Sequence, residues 1–210
     1  NMSNHLLFGL IAYLIGSIPT AVWIGKAKYG VDVREHGSNN AGATNTFRVL
    51  GKKAGITVLI IDIFKGFIPV FLPFLFQVGQ WNSDELITVQ ITAALGAVLG
   101  HVFPLYAQFK GGKGVATSLG VIIGIHPPAA GICIGLFLIV FLSLHYVSLG
   151  AICAAITFPV VLYFFFEVTS IWLIGFAVLL SSIVVFAHKK NIGRLIAGNE
   201  SKMFVFKSKK

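Results

Sequence analysis

Three short stretches of this chain hold the residue types suited to gripping phosphate and moving a proton. They also hold nearly all of its positive charge. Of its 16 Lys and Arg residues, all but Lys65 fall within residues 26–53, 110–113 and 189–210. The second stretch, Lys110-Gly111-Gly112-Lys113-Gly114, runs straight into an apolar segment. Glycines expose backbone N–H groups, a helix start adds the positive end of its dipole, and two ammonium groups add charge, so the pattern reads as an anion cradle. Its spacing differs from the nucleotide-binding loop G-x-x-x-x-G-K-[ST], so ATP and GTP are not implied. In the first stretch Gly37 and Gly42 let the backbone approach a ligand. Ser38, Thr44 and Asn45 offer hydroxyl and amide hydrogen bonds, and Arg48 offers a planar fork suited to phosphate. In the third, His188, Asn191 and Arg194 recur every three residues and would line neighbouring turns of a continuing helix. Histidine shuttles protons near neutral pH, and an asparagine can orient it or a substrate hydroxyl. Taken singly, each stretch also reads as a polar loop or basic tail; together they point to phosphate chemistry.

The elements that must position these groups belong to a membrane. The 210 residues are 56% hydrophobic and 11% charged, with mean hydropathy +0.88, which excludes an ordinary soluble domain. Between Gly114 and His188 the only Asp, Glu, Lys or Arg is Glu167. A bilayer sorts charge, and basic residues flanking spans stay cytoplasmic. The net charge of +9 therefore reads as topology and attraction to anionic lipid, with no motif for nucleic acid. Cys133 and Cys153 lie in apolar segments and read as small buried hydrophobes. No disulfide framework, metal site or cofactor is expected.

Apolar length predicts an all-α polytopic membrane protein, residues 1–210 forming a single domain. Seven spans are expected near 4–25, 54–77, 85–106, 114–125, 128–146, 148–166 and 169–187. The boundary at Tyr146-Val147-Ser148 is the weakest. The segment after Asn4 lacks the basic flank of a cleavable signal. Seven is odd, so the N-terminus is expected outside and the Lys-rich C-terminus in the cytoplasm. All three basic stretches would then face the cytoplasm and meet as one site. Asp62 and Lys65, three apart within a span, are functional candidates or a neutralising structural pair. His101 reads as a packed histidine, His126 and His145 as interfacial, and Trp23, Trp81 and Trp172 as aromatic belts. A phosphate or organic-anion transporter is the alternative reading. It predicts binding groups near the midplane and inverted repeats, and no repeat is visible.

Together the motifs resemble those of the bacterial acyl-phosphate:glycerol-3-phosphate acyltransferases. The resemblance covers essentially the whole chain. It rests on Gly16-Ser17-Ile18-Pro19, on Gly37-Ser38 with Gly42-Ala43-Thr44-Asn45 and Arg48, and on Asp62 with Lys65-Gly66. It continues through Gly100-His101 with Phe103-Pro104, Phe109 to Thr117, His188, Asn191, Arg194-Leu195 and Gly198 with Glu200. One departure is Asn39, where that family commonly has glycine. The resemblance implies seven spans, an outside N-terminus, and acyl transfer from acyl-phosphate to the 1-hydroxyl of glycerol 3-phosphate. Lysophosphatidic acid would be the product, and neither acyl-CoA nor acyl carrier protein would be needed. It assigns essential roles to Ser38, Arg48, His188 and Asn191, and phosphate binding to Lys110, Gly111, Gly112, Lys113 and Gly114. Thr44, Asn45 and Arg194 are expected substrate ligands, and Glu200 a structural group. An acyl phosphate is already activated, so direct transfer is expected, with Ser38 a hydrogen-bonding group and not an acylated nucleophile.

Overall fold

The computed structural model describes residues 2–81 and 83–204. Asn1, Asn82 and the last basic residues, Lys207, Lys209 and Lys210, lie outside them. The described chain is all helical apart from turns. Its helices are α1 (Met2–Gly16), α2 (Thr20–Tyr29), α3 (Ala43–Leu50), α4 (Lys52–Leu75), α5 (Asp84–Val102) and α6 (Val115–Ile125). They continue as α7 (Pro127–Leu144), α8 (Val147–Val160), α9 (Ile171–Ala187) and α10 (Lys189–Ile196). The chain divides into two compact units, one ending at Pro127 and the other starting at Pro128.

In the first unit, small residues decide which helices touch. Lipid tails are as apolar as leucine, so membrane helices associate where small side chains let backbones close in. A Cβ on Gly16 of α1 would collide with the Ala97 carbonyl of α5, and one on Gly66 of α4 with the Thr117 carbonyl of α6. Accordingly α1 packs on α5, and α4 on α6.

The first expected span is two helices, broken at Ser17-Ile18-Pro19. Such a break frees backbone groups, and in a bilayer each unsatisfied one costs several kcal/mol. Lys65 answers this. Its Nζ donates to the Ile18 carbonyl at 2.8 Å while sitting 3.1 Å from Asp62 Oδ1. Both side chains are buried, so Asp62 neutralises the ammonium that caps the break.

Every expected span is helical, but not every one is long enough to cross alone. Among the described residues five segments are: Met2–Tyr29, Lys52–Leu75, Asp84–Ala107, Pro127–Leu144 and Val147–Phe165, the first taken across its break; joining α9 to α10 across a 60° bend makes six. Eleven-residue α6 rises only about 16 Å against a hydrocarbon core of about 30 Å.

In the second unit α8 packs on α9, and α8 ends in a π-helical turn, Val161–Phe165. The weak boundary is a true break. His145 is left-handed (φ +63°) and Tyr146 extended, so α7 and α8 are separate helices. The chain after α10 returns to this turn: Met203 N–H donates to the His145 carbonyl at 2.8 Å, and Phe204 lies 4.6 Å from the His145 ring.

Candidate functional site

The first basic stretch folds around Asn45. That side chain is 1% exposed and sits near the start of α3. Its Oδ1 accepts from the Ser38 N–H at 2.8 Å. Its Nδ2 donates to the carbonyls of Val33, His36 and Asn40 at 2.7, 3.0 and 3.0 Å. Expected as a substrate ligand, Asn45 instead has its amide occupied inside the loop, where it holds Ser38 in place. Gly37 must be glycine: its φ is +63°, and a Cβ would strike Asn45 Oδ1. Ser38 is exposed, Thr44 half-buried, and Arg48 exposed in the last turn of α3. No histidine is hydrogen-bonded to the Ser38 hydroxyl among the described residues. Asn39 has φ +56°, a left-handed conformation that glycine adopts freely and asparagine tolerates better than most residues.

Two residues passed over in the sequence organise the same loop. Asp32 caps the 3-10 turn Val33–Glu35 and accepts from Arg34 N (3.0 Å), Nε (3.0 Å) and Nη2 (2.7 Å). Lys26 Nζ lies 3.1 Å from Asp32 Oδ2, the oxygen that also accepts from Arg34 Nη2. The Arg34 hydrogen bond, outweighing partial burial, holds the Asp32 carboxyl far below the usual carboxylate range; the same contact raises Arg34. The available signal was the Asp-x-Arg spacing, which suits an Asx turn closed by a guanidinium.

The second stretch departs from its expected physics. The Gly111 and Gly112 N–H groups do not face outward; they donate to the Val102 and His101 carbonyls at 3.2 and 3.1 Å. These glycines are needed because the loop lies flat on the end of α5, where a Cβ on Gly112 would strike the His101 imidazole. The anion-facing part is displaced to the start of α6, where Gly114 is the N-cap in a left-handed conformation (φ +78°). Lys110 is exposed and Lys113 half-buried beside it. A helix N-terminus flanked by two lysines still favours an anion.

In the second unit α9 does not continue through the third stretch; the chain bends by 60° at His188. His188 is 3% exposed, with Nδ1 at 2.8 Å from the Val184 carbonyl. A carbonyl only accepts, so Nδ1 carries a proton and donates it to Val184. Glu200 gathers the rest. Its Oε1 accepts from Ser148 Oγ (2.7 Å) and Asn191 Nδ2 (2.6 Å), and its Oε2 from Arg194 Nε (2.6 Å). An ionised carboxylate cannot donate, which fixes the amide orientation of Asn191. Burial alone would raise Glu200, but these three donors and the Arg194 charge together hold it below its ordinary value. Among the described residues, no three His, Cys, Asp or Glu side chains group as a metal site.

These geometries belong to a chain with close relatives. The family described as "Glycerol-3-phosphate acyltransferase" matches residues 6–198. The chain belongs to the glycerol-3-phosphate acyltransferase family. A glycerol-3-phosphate acyltransferase of Fusobacterium nucleatum is 44% identical, with 93% of this chain and 96% of the relative covered. That of Endomicrobium trichonymphae is 42% identical over 99% and 100%. The crystal structure of PlsY (YgiH), an integral membrane glycerol 3-phosphate acyltransferase, in its glycerol 3-phosphate form superposes with TM-score 0.85. It shares 38% identity, covering 95% of this chain and 96% of that one. The lysophosphatidic acid form gives 0.81 at 37% identity, covering 95% of each. Family membership makes the chain an integral, multi-pass membrane enzyme, and the transporter alternative is set aside.

Proposed function

We propose that this acyltransferase moves a fatty acyl group from acyl phosphate to the 1-hydroxyl of sn-glycerol 3-phosphate, forming 1-acyl-glycerol 3-phosphate (lysophosphatidic acid) and inorganic phosphate. The observation that carries this is whole-chain likeness to an enzyme solved in glycerol 3-phosphate and lysophosphatidic acid forms. The cationic loops of the first unit support acyl phosphate as donor. A reaction in which one substrate carries a phosphate and the other releases one must hold two dianions and stabilise charge as one departs.

The acyl carbon's bond to phosphate oxygen breaks as its bond to the glycerol oxygen forms, and no acyl-enzyme intervenes. Lys110, Lys113, Gly114 and the start of α6 hold phosphate. Gly111 and Gly112 keep that loop flat on α5. Arg48 and Thr44 bind substrate oxygens, and the Ser38 hydroxyl, fixed through its own N–H, hydrogen-bonds to substrate. In the second unit His188 Nε2 accepts the hydroxyl proton. Asn191, oriented by Glu200, holds a hydroxyl, and Arg194 contributes charge. An oxygen of the substrate phosphate is the competing proton acceptor, and near-normal turnover by a His188→Ala enzyme would favour it.

The enzyme lies in the bacterial plasma membrane as a single domain of seven segments, α6 being the short one sheltered by protein. Its N-terminus is outside and its basic stretches cytoplasmic, as the positive-inside rule requires. The acyl chain and product stay in the bilayer, and neither acyl-CoA nor acyl carrier protein is needed. Purified protein in detergent micelles tests the reading: inorganic phosphate must be released only when acyl phosphate and glycerol 3-phosphate are both present. Release from acyl phosphate alone at the same rate would make it a phosphatase. Trapping of an acyl group on Ser38 would replace direct transfer with a covalent route.

A further inference from the structure

Within the first unit, the Ser38 loop and the lysine–glycine loop are far apart in sequence, yet one cation grips both. Arg34 spends Nε and Nη2 on the Asp32 carboxylate, at 3.0 and 2.7 Å, and reaches with Nη1 to the Ala107 carbonyl at 3.0 Å. That carbonyl also accepts the Lys110 N–H at 3.2 Å, so Arg34 holds the very oxygen from which the lysine loop springs. The turn it grips is strained. Gln108 and Phe109 are consecutive left-handed residues (φ +56° and +58°), and neither is glycine. A non-glycine residue in that region costs about 1–2 kcal/mol and persists only where its surroundings over-determine it. At the other end Val33, beside Arg34, is fully buried against Ala21 and Val58, and its carbonyl accepts from Asn45.

We propose that Arg34 is a positioning residue that sets the register of the Ser38 loop against residues 110–114, and that Asp32 serves to hold Arg34. This rests on the reading of those two loops as substrate-binding. Three of the guanidinium's five N–H groups are committed within the protein and its charge is neutralised, so Arg34 is not one of the cations that meet phosphate. A bidentate fork plus a third hydrogen bond is a geometry lysine cannot reproduce. The fold has other support here, since the Trp23 and Tyr106 rings lie 6.2 Å apart across the same region.

The test uses the full chain in detergent with Cys133→Ala and Cys153→Ala, spin-labelled at Glu35→Cys and Leu105→Cys. Double electron–electron resonance then reads the separation of the two loops with no reference to activity. The parent is expected to give one narrow distance distribution, and Arg34→Ala, Arg34→Lys and Asp32→Asn to broaden it, least in Asp32→Asn. In phosphate-release assays on the unlabelled variants, kcat should fall at least tenfold for Arg34→Lys, by more than any rise in KM for either substrate. If Arg34→Ala does not fold, Arg34→Lys and Asp32→Asn carry the same readings. An unchanged distribution in Arg34→Lys overturns the proposal. So does a rise in KM for one substrate at constant kcat, which would make Arg34 a phosphate ligand. A parent that does not turn over refutes the proposed function, while the distance measurement still decides the strut.

Discussion

Replacing Glu200 with glutamine swaps one carboxylate oxygen for an NH2 group and tests how the second unit holds Asn191. The carboxylate serves three donors, at 2.6 to 2.7 Å, from three places in the sequence: Ser148, Asn191 and Arg194. A glutamine offers one acceptor oxygen and turns an NH2 group toward at least one of those donors. Ser148 and Asn191 are each 6% exposed, so whichever loses its acceptor stays buried and unsatisfied, at about 1–3 kcal/mol. The Arg194 side chain is 40% exposed, and its pair is screened to at most about 1 kcal/mol. The substitution should therefore cost about 1–4 kcal/mol, which for a chain of this size lowers Tm by about 2–16 °C. Intrinsic-fluorescence melting in detergent measures it, with phosphate release on the same samples reporting the orientation of Asn191. A Glu200→Gln enzyme melting within about 1 °C of the parent would refute the reasoning.

The same carboxylate sets a pH dependence. Glu200 and Asp32 are both held below their ordinary values of 4.5 and 3.8. The stability they contribute is complete above those values and lost as pH falls through the folded-state ones. The fall in Tm below about pH 4.5 should be less steep in an Asp32→Asn, Glu200→Gln double variant than in the parent; equal slopes would contradict this. Lys65→Met strands the buried Asp62 charge and should cost about 3–5 kcal/mol, whereas adding Asp62→Asn should restore most of it, as read by melting. Asn45→Asp removes a donor that serves three carbonyls, and should abolish activity while Asn45-adjacent Ser38 remains unaltered; parent-like turnover would refute its place in the loop. Asn39→Gly should leave melting and turnover unchanged, while Asn39→Val, forced to φ +56°, should lose about 1–2 kcal/mol.

The helices were legible because apolar length is a strong signal, and every expected span appears as helix. What apolar length cannot show is where a helix breaks inside the bilayer. Pro19 marks the first break in hindsight, but its acceptance depends on Lys65 reaching Ile18 from 47 residues away. The chemistry-bearing residues were visible from their types and spacing, and the physics assigned to some was not. Gly111 and Gly112 looked like exposed donors because spacing says nothing of the His101 and Val102 carbonyls that take their N–H groups. Asn45 looked like a ligand because an asparagine in a glycine-rich loop carries no mark of facing inward. The bend at His188 was hidden because no proline or glycine stands there. Arg34 was hidden by company: one cation among many in a basic stretch gives no sign that its charge is already spent on Asp32.

The identity of the acyl donor is read most directly by a two-arm product assay. Purified enzyme in lipid–detergent micelles should be given glycerol 3-phosphate with acyl phosphate in one arm and acyl-CoA in another, and the product followed by mass spectrometry. The first arm should give 1-acyl-glycerol 3-phosphate with one inorganic phosphate released per product, and the second arm none. Equal product from acyl-CoA, or none from acyl phosphate, would contradict this assignment of the donor.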